Sequence, residues 1–478
     1  MQYGAPVHDV PLTIVRMRRT VPAVRRIHHS GMGRMTAPQS RAPGLENLSH
    51  SLIGLVAGES FARCTRSDEK AESGRGLVQT ARRSLFVAFG LIGGNLPDAD
   101  LLWSYPASDR RLGYILEHRG YTHSLLGCLV LGALLYIGAE GWMRWRRLVP
   151  SARDRIQLAL AALVSTLLHL GMDALNSYGV HPLWPFDNRW FYGDAVFIAE
   201  PLFWLSSAPL IFLVRSGPAR GAMSLVLVLA LGATLWMHRG SLPSYAVIVA
   251  IALGLLAVGR WASPRAAALT SATAMVLIVG VSVLCERVAV SRIDAIASSR
   301  FPADRTLDRV LSATPTRPLC WEVLLLGTEG DRYIVRDAVL SIAPGLLPVR
   351  QCPTVFPQRP PSAPRTSARP APGVQGTPIP PRLPVNAPNS AAVLWLGEYS
   401  MSRSRFAELV DEHCRAAAFM QFARAPFAYE SGSSWYLSDL RFERGSGFQI
   451  ELLSEDAGCS IHVPWVPPRT DLLHPQSH

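Results

Sequence analysis

The segment Glu117–Ser124 (EHRGYTHS) places two histidines, an arginine and several hydroxyl groups within eight residues. Imidazoles bind divalent metals and transfer protons, and a guanidinium binds anions. A long apolar run follows directly, so these groups stand where a helix would enter a membrane. Ionisable groups at that depth are costly without a partner and are functional-site candidates by default. His118, Arg119 and His123 are therefore the first candidate site residues.

Two further pairs of ligand-type side chains end other apolar segments. His169 and Asp173 are four residues apart, which places them on one face of a helix. Asp98 and Asp100 follow Pro97, which interrupts the helix before it, and an Asp-x-Asp turn can present two carboxylates. Burying a histidine and an aspartate without partners would cost several kcal/mol. A purely structural role is therefore a poor explanation for His169 and Asp173.

Weaker candidates stand at two other segment ends. His50 begins the first apolar segment, and Asp194 and Glu200 begin the fifth. Each has a structural alternative: a histidine at a helix end is often solvated, and an aspartate after a glycine is often a cap. His118 also has a structural alternative, because it could form a hydrogen bond with a backbone carbonyl and not contact metal.

Mixed imidazole and carboxylate donors favour Zn²⁺, with Mn²⁺ and Fe²⁺ as less favoured ions. The number of donors exceeds the three protein ligands of one catalytic zinc, so two ions are conceivable. We expect His118 and Arg119 to act in catalysis: His118 as a metal ligand or general acid/base, and Arg119 as the group that holds the substrate anion. The predicted metal ligands are His50, Asp98, Asp100, His123, His169 and Asp173.

The elements that must position these residues are membrane helices. The chain is 49% hydrophobic and only 17% charged, whereas soluble proteins carry about 25% charged residues. A span needs roughly 20 apolar residues. Seven segments and one shorter candidate qualify: 84–96, 123–139, 156–172, 197–214, 222–237, 243–259 and 266–285, with 48–62 as the shorter one.

Orientation follows from the arginines and lysines of the short loops, which stay in the cytoplasm. Loops 63–83, 144–155, 215–220 and 260–265 carry fifteen, and the alternate loops carry five. The candidate residues then lie at the outer face, and the tail is extracytoplasmic. The basic N-terminus conflicts with this topology. Either 48–62 is re-entrant, or translation starts at Met32 or Met35, which we favour.

Four regions follow. Residues 1–44 are expected to be a disordered basic segment, and 45–286 a transmembrane hydrolase domain. Residues 287–352 and 389–478 are expected to form a small α+β domain, interrupted at 353–388 by an insertion with twelve prolines. The fold class is thus an all-α polytopic membrane bundle of about seven to eight transmembrane helices with a C-terminal α+β extracytoplasmic domain.

The tail contains four of the seven cysteines. They permit two disulfides in an oxidising compartment, although isolated thiols are about as consistent with the sequence and the pairing cannot be deduced. Residues 319–340 are expected to form a β-hairpin, 402–423 to be helical, and 434–443 and 447–453 to pair as strands.

The ordered motifs LPDAD at 96–100, HRGYTHS at 118–124 and HLGMD at 169–173 resemble the YdjM family. Its members are described as LexA-binding, inner-membrane-associated, metal-dependent hydrolases. The resemblance covers about residues 45–215 and implies a bacterial inner membrane protein with a metal-dependent hydrolase activity. The aspartate that family members often carry near the fifth span has two counterparts here, Asp194 and Glu200.

We therefore predict a membrane-bound hydrolase that uses metal-activated water on a phosphoester or lipid-linked substrate at the outer face. Its partners would be membrane lipid and, through the tail, another protein; no direct nucleic-acid binding is predicted. Two alternatives remain open. One is an ion or metal transporter, and the other is a membrane scaffold with a structural metal. An enzyme core is expected to stay active without residues 300–478.

Overall fold

The computed structural model describes residues 43–65, 79–104, 110–197, 199–238, 242–353, 380–442, 448–452 and 469–473. The predicted disordered N-terminus lies almost entirely outside these residues, as does most of the Pro-rich insertion. Ten helices precede the tail within the described ranges. They are α1 Pro43–Cys64, α2 Gln79–Gly93, α3 Leu101–Ser104, α4 Arg110–Glu117, α5 Leu125–Trp145, α6 Ala152–Ala174, α7 Pro201–Ser206, α8 Gly217–Met237, α9 Leu242–Trp261 and α10 Pro264–Arg300.

Five of these helices are long and apolar enough to cross a membrane: α5, α6, α8, α9 and α10. They contain or closely overlap five of the predicted spans. Helix α1 contains the predicted segment 48–62 but carries more polar residues. Helix α2 has only 15 residues and ends at Gly93, before the end of the predicted segment 84–96. The protein is mostly helical, with several apolar helices and a C-terminal sheet region.

The predicted span at 197–214 is not one continuous helix. Helix α7 ends at Ser206, and a 3₁₀ helix at Ala208–Phe212 follows. Pro209 lies at the start of that second helix and cannot donate a backbone hydrogen bond, so the α-helical ladder cannot continue through it. The hydroxyl groups of Ser206 and Ser207 donate to backbone carbonyls three residues earlier, which further favours the break.

Glycines bring α1 and α2 into backbone contact. A Cβ atom at Gly54 would clash with the carbonyl of Gly90, and one at Gly90 would clash with the carbonyl of Gly54. Gly58, one turn further along α1, similarly meets the backbone at Phe86. Small residues four apart permit such close approach in membrane helices. The contact places the first turns of α1 beside the end of α2.

The tail contains two antiparallel sheets in the described ranges. The first has the order β1 to β4 and the second the order β5 to β7. The strands are β1 Arg305–Thr314, β2 Arg317–Glu329, β3 Arg332–Ser341, β4 Val393–Ser402, β5 Pro426–Ser431, β6 Ser434–Asp439 and β7 Gln449–Leu452, with helices α11 Arg403–Glu412 and α12 Cys414–Phe419 between β4 and β5.

The predicted hairpin is present as β2 and β3, although its turn is shorter than the sequence suggested. Pairing continues to Glu329 and Arg332, so Gly330 and Asp331 alone form the turn. Gly330 has a φ of 58°, which glycine adopts without strain. The predicted strands at 434–443 and 447–453 also pair, as β6 and β7. One disulfide joins Cys320 to Cys352, and Cys414 is also disulfide-bonded.

The tail and the loops of the membrane region share one hydrophobic core. Leu112, Ile115 and Tyr178 belong to the same buried cluster as Phe406 and Phe422 of the tail. Polar contacts reinforce this packing: the Arg441 guanidinium donates to the carbonyls of residues 177 and 178, and the indole of residue 190 donates to the carbonyl of residue 421. Removing residues 300–478 would therefore expose the hydrophobic residues that pack around α4. For this reason we expect the truncated protein to be inactive, in contrast to the expectation from the sequence.

Candidate metal centre

Four helix ends meet at one end of the bundle. Helices α1 and α5 begin there, and α2 and α6 end there. The short 3₁₀ helices Pro97–Asp100 and Tyr121–His123 follow α2 and precede α5. Pro97 starts the first of them, so the chain turns tightly and brings both aspartates toward the bundle. The predicted ligands of four separate segments are thus brought together.

Four of the six predicted ligands form one compact group: Asp98, His123, His169 and Asp173. The two imidazole Nε2 atoms are 3.0 Å apart. His123 Nε2 lies 3.3 Å from Asp98 Oδ1 and 3.2 Å from Asp173 Oδ2. His169 Nε2 lies 3.5 Å and 3.4 Å from the same two oxygens. Two nitrogens and two carboxylate oxygens therefore face one point.

These separations fit a divalent ion. Bonds of about 2.0–2.1 Å in a tetrahedron separate nitrogen and oxygen ligands by about 3.3 Å, close to the distances observed. Asp173 Oδ2 is buried, and the two imidazole Nε2 atoms of the group lie 3.2 and 3.4 Å from it. A buried carboxylate oxygen in that position is costly unless a cation binds it. The donor set and the burial of this oxygen both fit a bound metal.

Neighbouring groups orient both imidazoles of this group. His169 Nδ1 is 2.8 Å from the backbone carbonyl of Gly94, which can only accept, so Nδ1 carries the proton and Nε2 faces the group. His123 Nδ1 is 3.3 Å from Asp100 Oδ2 and 3.0 Å from the Thr122 hydroxyl. Such partners on the far nitrogen are typical of metal-binding histidines.

Asp100 lies behind His123 and organises the HRGYTHS segment. Its Oδ1 is 3.0 Å from His118 Nδ1, and its Oδ2 accepts from the backbone N–H of Arg119 and from the Thr122 hydroxyl. Arg119 has a φ of 65°, an unusual conformation for a non-glycine residue, and these contacts hold it there. Asp98, Asp100 and His118 form a second group of potential ligands that shares Asp98 with the first.

The Arg119 guanidinium is buried and turned toward the protein. It lies 3.1 Å from Asp173 Oδ1, donates to Asn176 Oδ1 at 3.2 Å, and stacks over the Tyr178 ring at 4.3 Å. Only 1% of this residue is exposed. The sequence predicted that Arg119 holds a substrate anion. In the structure its guanidinium contacts Asp173 and connects that residue with the 176–179 loop.

The centre carries an excess of buried negative charge. The carboxylates of Asp98, Asp100 and Asp173 are at most 10% exposed, and among the described ion pairs the Arg119 guanidinium pairs with Asp173 alone of the three. Burial alone would lower the pKa of His123, but the charge of Asp100 and hydrogen bonds with Asp173 and Asp98 raise this pKa well above its usual range. Burial likewise opposes ionisation of Asp98, yet hydrogen bonds from His123 and His169 hold the pKa of that carboxyl far below normal. The site requires positive charge, from protons or from a metal.

His50 lies beside the four-ligand group and not within it. Its Nε2 is 3.2 Å from Asp173 Oδ1, the oxygen that faces away from the group, and its ring stacks on His169 with centroids 4.0 Å apart. The Ser49 hydroxyl, next in the chain, accepts from the indole of Trp204. From these contacts we propose that His50 holds Asp173 in place.

This role predicts a graded effect for His50→Phe, which keeps the stacked ring and removes the hydrogen bond. We expect metal affinity to fall about 10–100-fold, the usual cost of losing a group that orients a ligand, with full occupancy at saturating metal. Metal titration of the purified protein measures this. His238→Phe is the control, because His238 bonds Thr316 and not the centre. Loss of occupancy at saturation would show that His50 is a direct ligand, as the sequence suggested.

The two acids of the fifth segment serve the tail instead of the centre. Asp194 accepts two hydrogen bonds from Arg424, at 2.7 and 2.9 Å. Glu200 caps α7 and accepts from the backbone N–H of Thr316 at 3.1 Å. Neither belongs to the groups of potential ligands among the described residues. The resemblance left the aspartate of this segment in doubt, and the structure assigns both acids to the contact with the tail.

His181 is a buried imidazole that sequence reasoning did not select. It is fully buried, its ring lies 3.8 Å from that of Trp190, and neither ring nitrogen has a hydrogen-bond partner among the described residues. Burial and the nearby His123 lower its pKa to about 3. The only signal in the sequence is a histidine before Pro182, whose carbonyl accepts from the first residue of α5. That signal is too common in loops to mark a site.

The fold and the site define a helical membrane protein with a buried His/Asp centre suited to a divalent ion. Residues 45–242 match the family model described as YdjM inner membrane protein. The resemblance seen in the three motifs is confirmed. The match ends where α9 begins, so it includes every residue of the centre and none of the tail. No curated protein and no solved structure matches the chain.

Proposed function

We propose that this protein is a metal-dependent hydrolase of the bacterial inner membrane. Its site would lie at the outer face and act on a phosphoester or lipid-linked substrate. The observation that carries the proposal is the convergence of His123, His169, Asp98 and Asp173 on one point, with a buried carboxylate oxygen that faces both imidazoles. The family match supports the inner membrane, and the arginine distribution of the loops supports the outer face.

The residues divide into those that would hold the ion and those that would support them. Asp98, His123, His169 and Asp173 would be its ligands, and Zn²⁺ suits two imidazoles and two carboxylates best. A bound ion would supply a Lewis acid and lower the pKa of a water molecule. Asp100 orients His123, and Arg119 fixes Asp173. The group of Asp98, Asp100 and His118 is where a second ion would bind.

His118 is the proposed proton carrier. Asp100 holds its Nδ1 at 3.0 Å, and its ring stacks on that of Tyr114 with centroids 5.2 Å apart. That contact leaves Nε2 as the atom at which His118 would take or release a proton. A positioned general acid or base typically contributes about 10²–10⁴-fold to a reaction rate.

Metal removal tests the proposal. The full chain, purified in mild detergent, is expected to contain close to one equivalent of transition metal or more and to hydrolyse a chromogenic phosphodiester or phosphatidic acid. EDTA should abolish turnover, and Zn²⁺ or Mn²⁺ should restore it. A protein without transition metal contradicts the proposal. Tightly bound metal with no hydrolysis would favour the scaffold, and metal flux through proteoliposomes would favour the transporter.

A further inference from the structure

An apolar groove runs along the outside of the bundle between α2 and α5. Its walls are residues spaced three or four apart on each helix, including Ala88, Ile92 and Leu96 on one side and Leu131, Gly138 and Trp142 on the other. Its volume is about 630 Å³, within the range of about 300–1,000 Å³ for small-molecule sites. From Leu131 to Trp142, at about 1.5 Å per residue, it extends for about 16 Å. That shape suits a chain better than a compact ligand.

The groove opens on the surface that would face lipid. Helix α5 is a candidate membrane span. Two of the wall residues, Ile92 and Leu134, are 50% and 57% exposed, as expected for side chains in contact with hydrocarbon. Ser84 is the one polar wall residue, and its hydroxyl donates to the carbonyl of Thr80. Such a groove in a bilayer takes up hydrocarbon and not water.

One end of the groove adjoins the metal centre. Leu96 lines it, and Asp98 follows two residues later, within about 7 Å even along a fully extended chain. Asp98 is also the most accessible of the four ligands: its side chain is 10% exposed, against 2% for Asp173 and none for His123. The most accessible residue of the centre is therefore the one that lies two positions from the groove wall.

We infer that the groove binds a hydrocarbon chain of a lipid phosphoester whose headgroup lies at the metal centre. This inference rests on the proposed function and specifies its substrate as a membrane lipid, not a soluble ester. The chain passes from one apolar medium into another, so the groove gains little from the hydrophobic effect. Its contribution is to align the headgroup with the ligands, and misplacement of a bound substrate can lower rates by about 100-fold.

Photolabelling in nanodiscs tests this inference. The probe is phosphatidic acid with a diazirine on its acyl chain, in a phosphatidylcholine bilayer with the full-length protein. Labelling is expected on peptides from α2 and α5 that line the groove. Gly138→Trp should fill the groove, because a Cβ atom added at Gly138 meets nothing within 4 Å. We expect labelling to fall about tenfold, since a filled cavity excludes further groups.

Gly141→Trp is the matched control. Gly141 lies one turn further along α5, also has open space around its Cβ position, and does not line the groove. Its labelling should equal that of the wild type. Equal labelling of wild type and Gly138→Trp overturns the inference. So does equal competition by diacylglycerol and phosphatidic acid, because the groove would then hold bulk lipid without regard to the phosphoester.

Failure of the inference and failure of the proposed function give different results. Metal-dependent lipid hydrolysis with labelling unchanged in Gly138→Trp would overturn the groove alone. Specific labelling that Gly138→Trp removes, in a protein without metal or turnover, would support the groove as a lipid phosphoester site and overturn the hydrolase.

Discussion

Replacing Asp173 by asparagine is expected to abolish metal binding at the centre. The change keeps the shape of the side chain but removes the charge that faces His123 and His169 and that compensates Arg119. Groups that only orient a ligand are worth about 10–100-fold in affinity, so loss of a ligand should exceed about 100-fold. Elemental analysis after gel filtration measures the loss. Added Zn²⁺ should raise the melting temperature of the wild type and not that of the variant.

Asp187→Asn is the matched control for this prediction. Asp187 pairs with the exposed Arg189 and lies away from the ligands, so its variant should bind metal normally. Asp98→Asn supplies a second test that leaves the Arg119 contacts intact, because Asp98 pairs with His123 and His169 alone among the described ion pairs. Equal metal content in wild type, Asp173→Asn and Asp98→Asn would show that the four residues do not form a metal site.

Replacing Arg424 by methionine is expected to loosen the tail from the membrane region. The Arg424 guanidinium binds Asp194 with two hydrogen bonds and also contacts Asp308, and only 6% of the residue is exposed. Removing one partner of a buried pair leaves the other charge uncompensated and typically costs about 3–5 kcal/mol. Denaturant unfolding in detergent should show that loss, and limited proteolysis should cut the tail faster.

Two further variants make this result interpretable. Arg405→Met removes an exposed pair with Glu408 and should cost less than about 1 kcal/mol. Adding Asp194→Asn to Arg424→Met removes the unpaired carboxylate and should restore part of the stability. If Arg424→Met unfolds like Arg405→Met, the pair does not hold the tail. Because α4 packs in the same core as the tail, metal affinity should also fall in Arg424→Met.

The membrane helices could be predicted from composition because an apolar run of sufficient length has few other stable environments. Five runs did become long apolar helices. The run at 197–214 was wrong as a single helix, because Pro209 ends the hydrogen-bond ladder whatever the hydropathy of its neighbours. The hairpin at 319–340 was predictable because glycine and aspartate are typical of a turn. The length of that turn was not, because it depends on how far the two strands pair, which residue types do not specify.

The ligand types and their spacing were predictable for a similar reason. His169 and Asp173 share a face in any regular helix, and the Pro97 turn presents Asp98 in nearly any fold. The contacts that the neighbouring residues make with this group were not predictable. His50, Asp100 and Arg119 have side chains that could bind a metal or a substrate anion, and in the structure each of them contacts a residue of the compact group. Only the directions of the side chains distinguish a ligand from the group behind it.

By itself the sequence determined that EHRGYTHS is part of a polar centre in a helical membrane protein whose residues 45–242 match the YdjM family model. The length of an apolar segment, the helical periodicity and the order of the motifs are properties of the local sequence. They do not depend on how the helices pack. The tertiary structure alone decided which oxygen of Asp173 faces the imidazoles, that Asp194 binds Arg424, and that the tail encloses α4. The contact between Asp194 and Arg424 joins residues 230 positions apart. Such long-range contacts depend on how the helices pack, which no local pattern encodes.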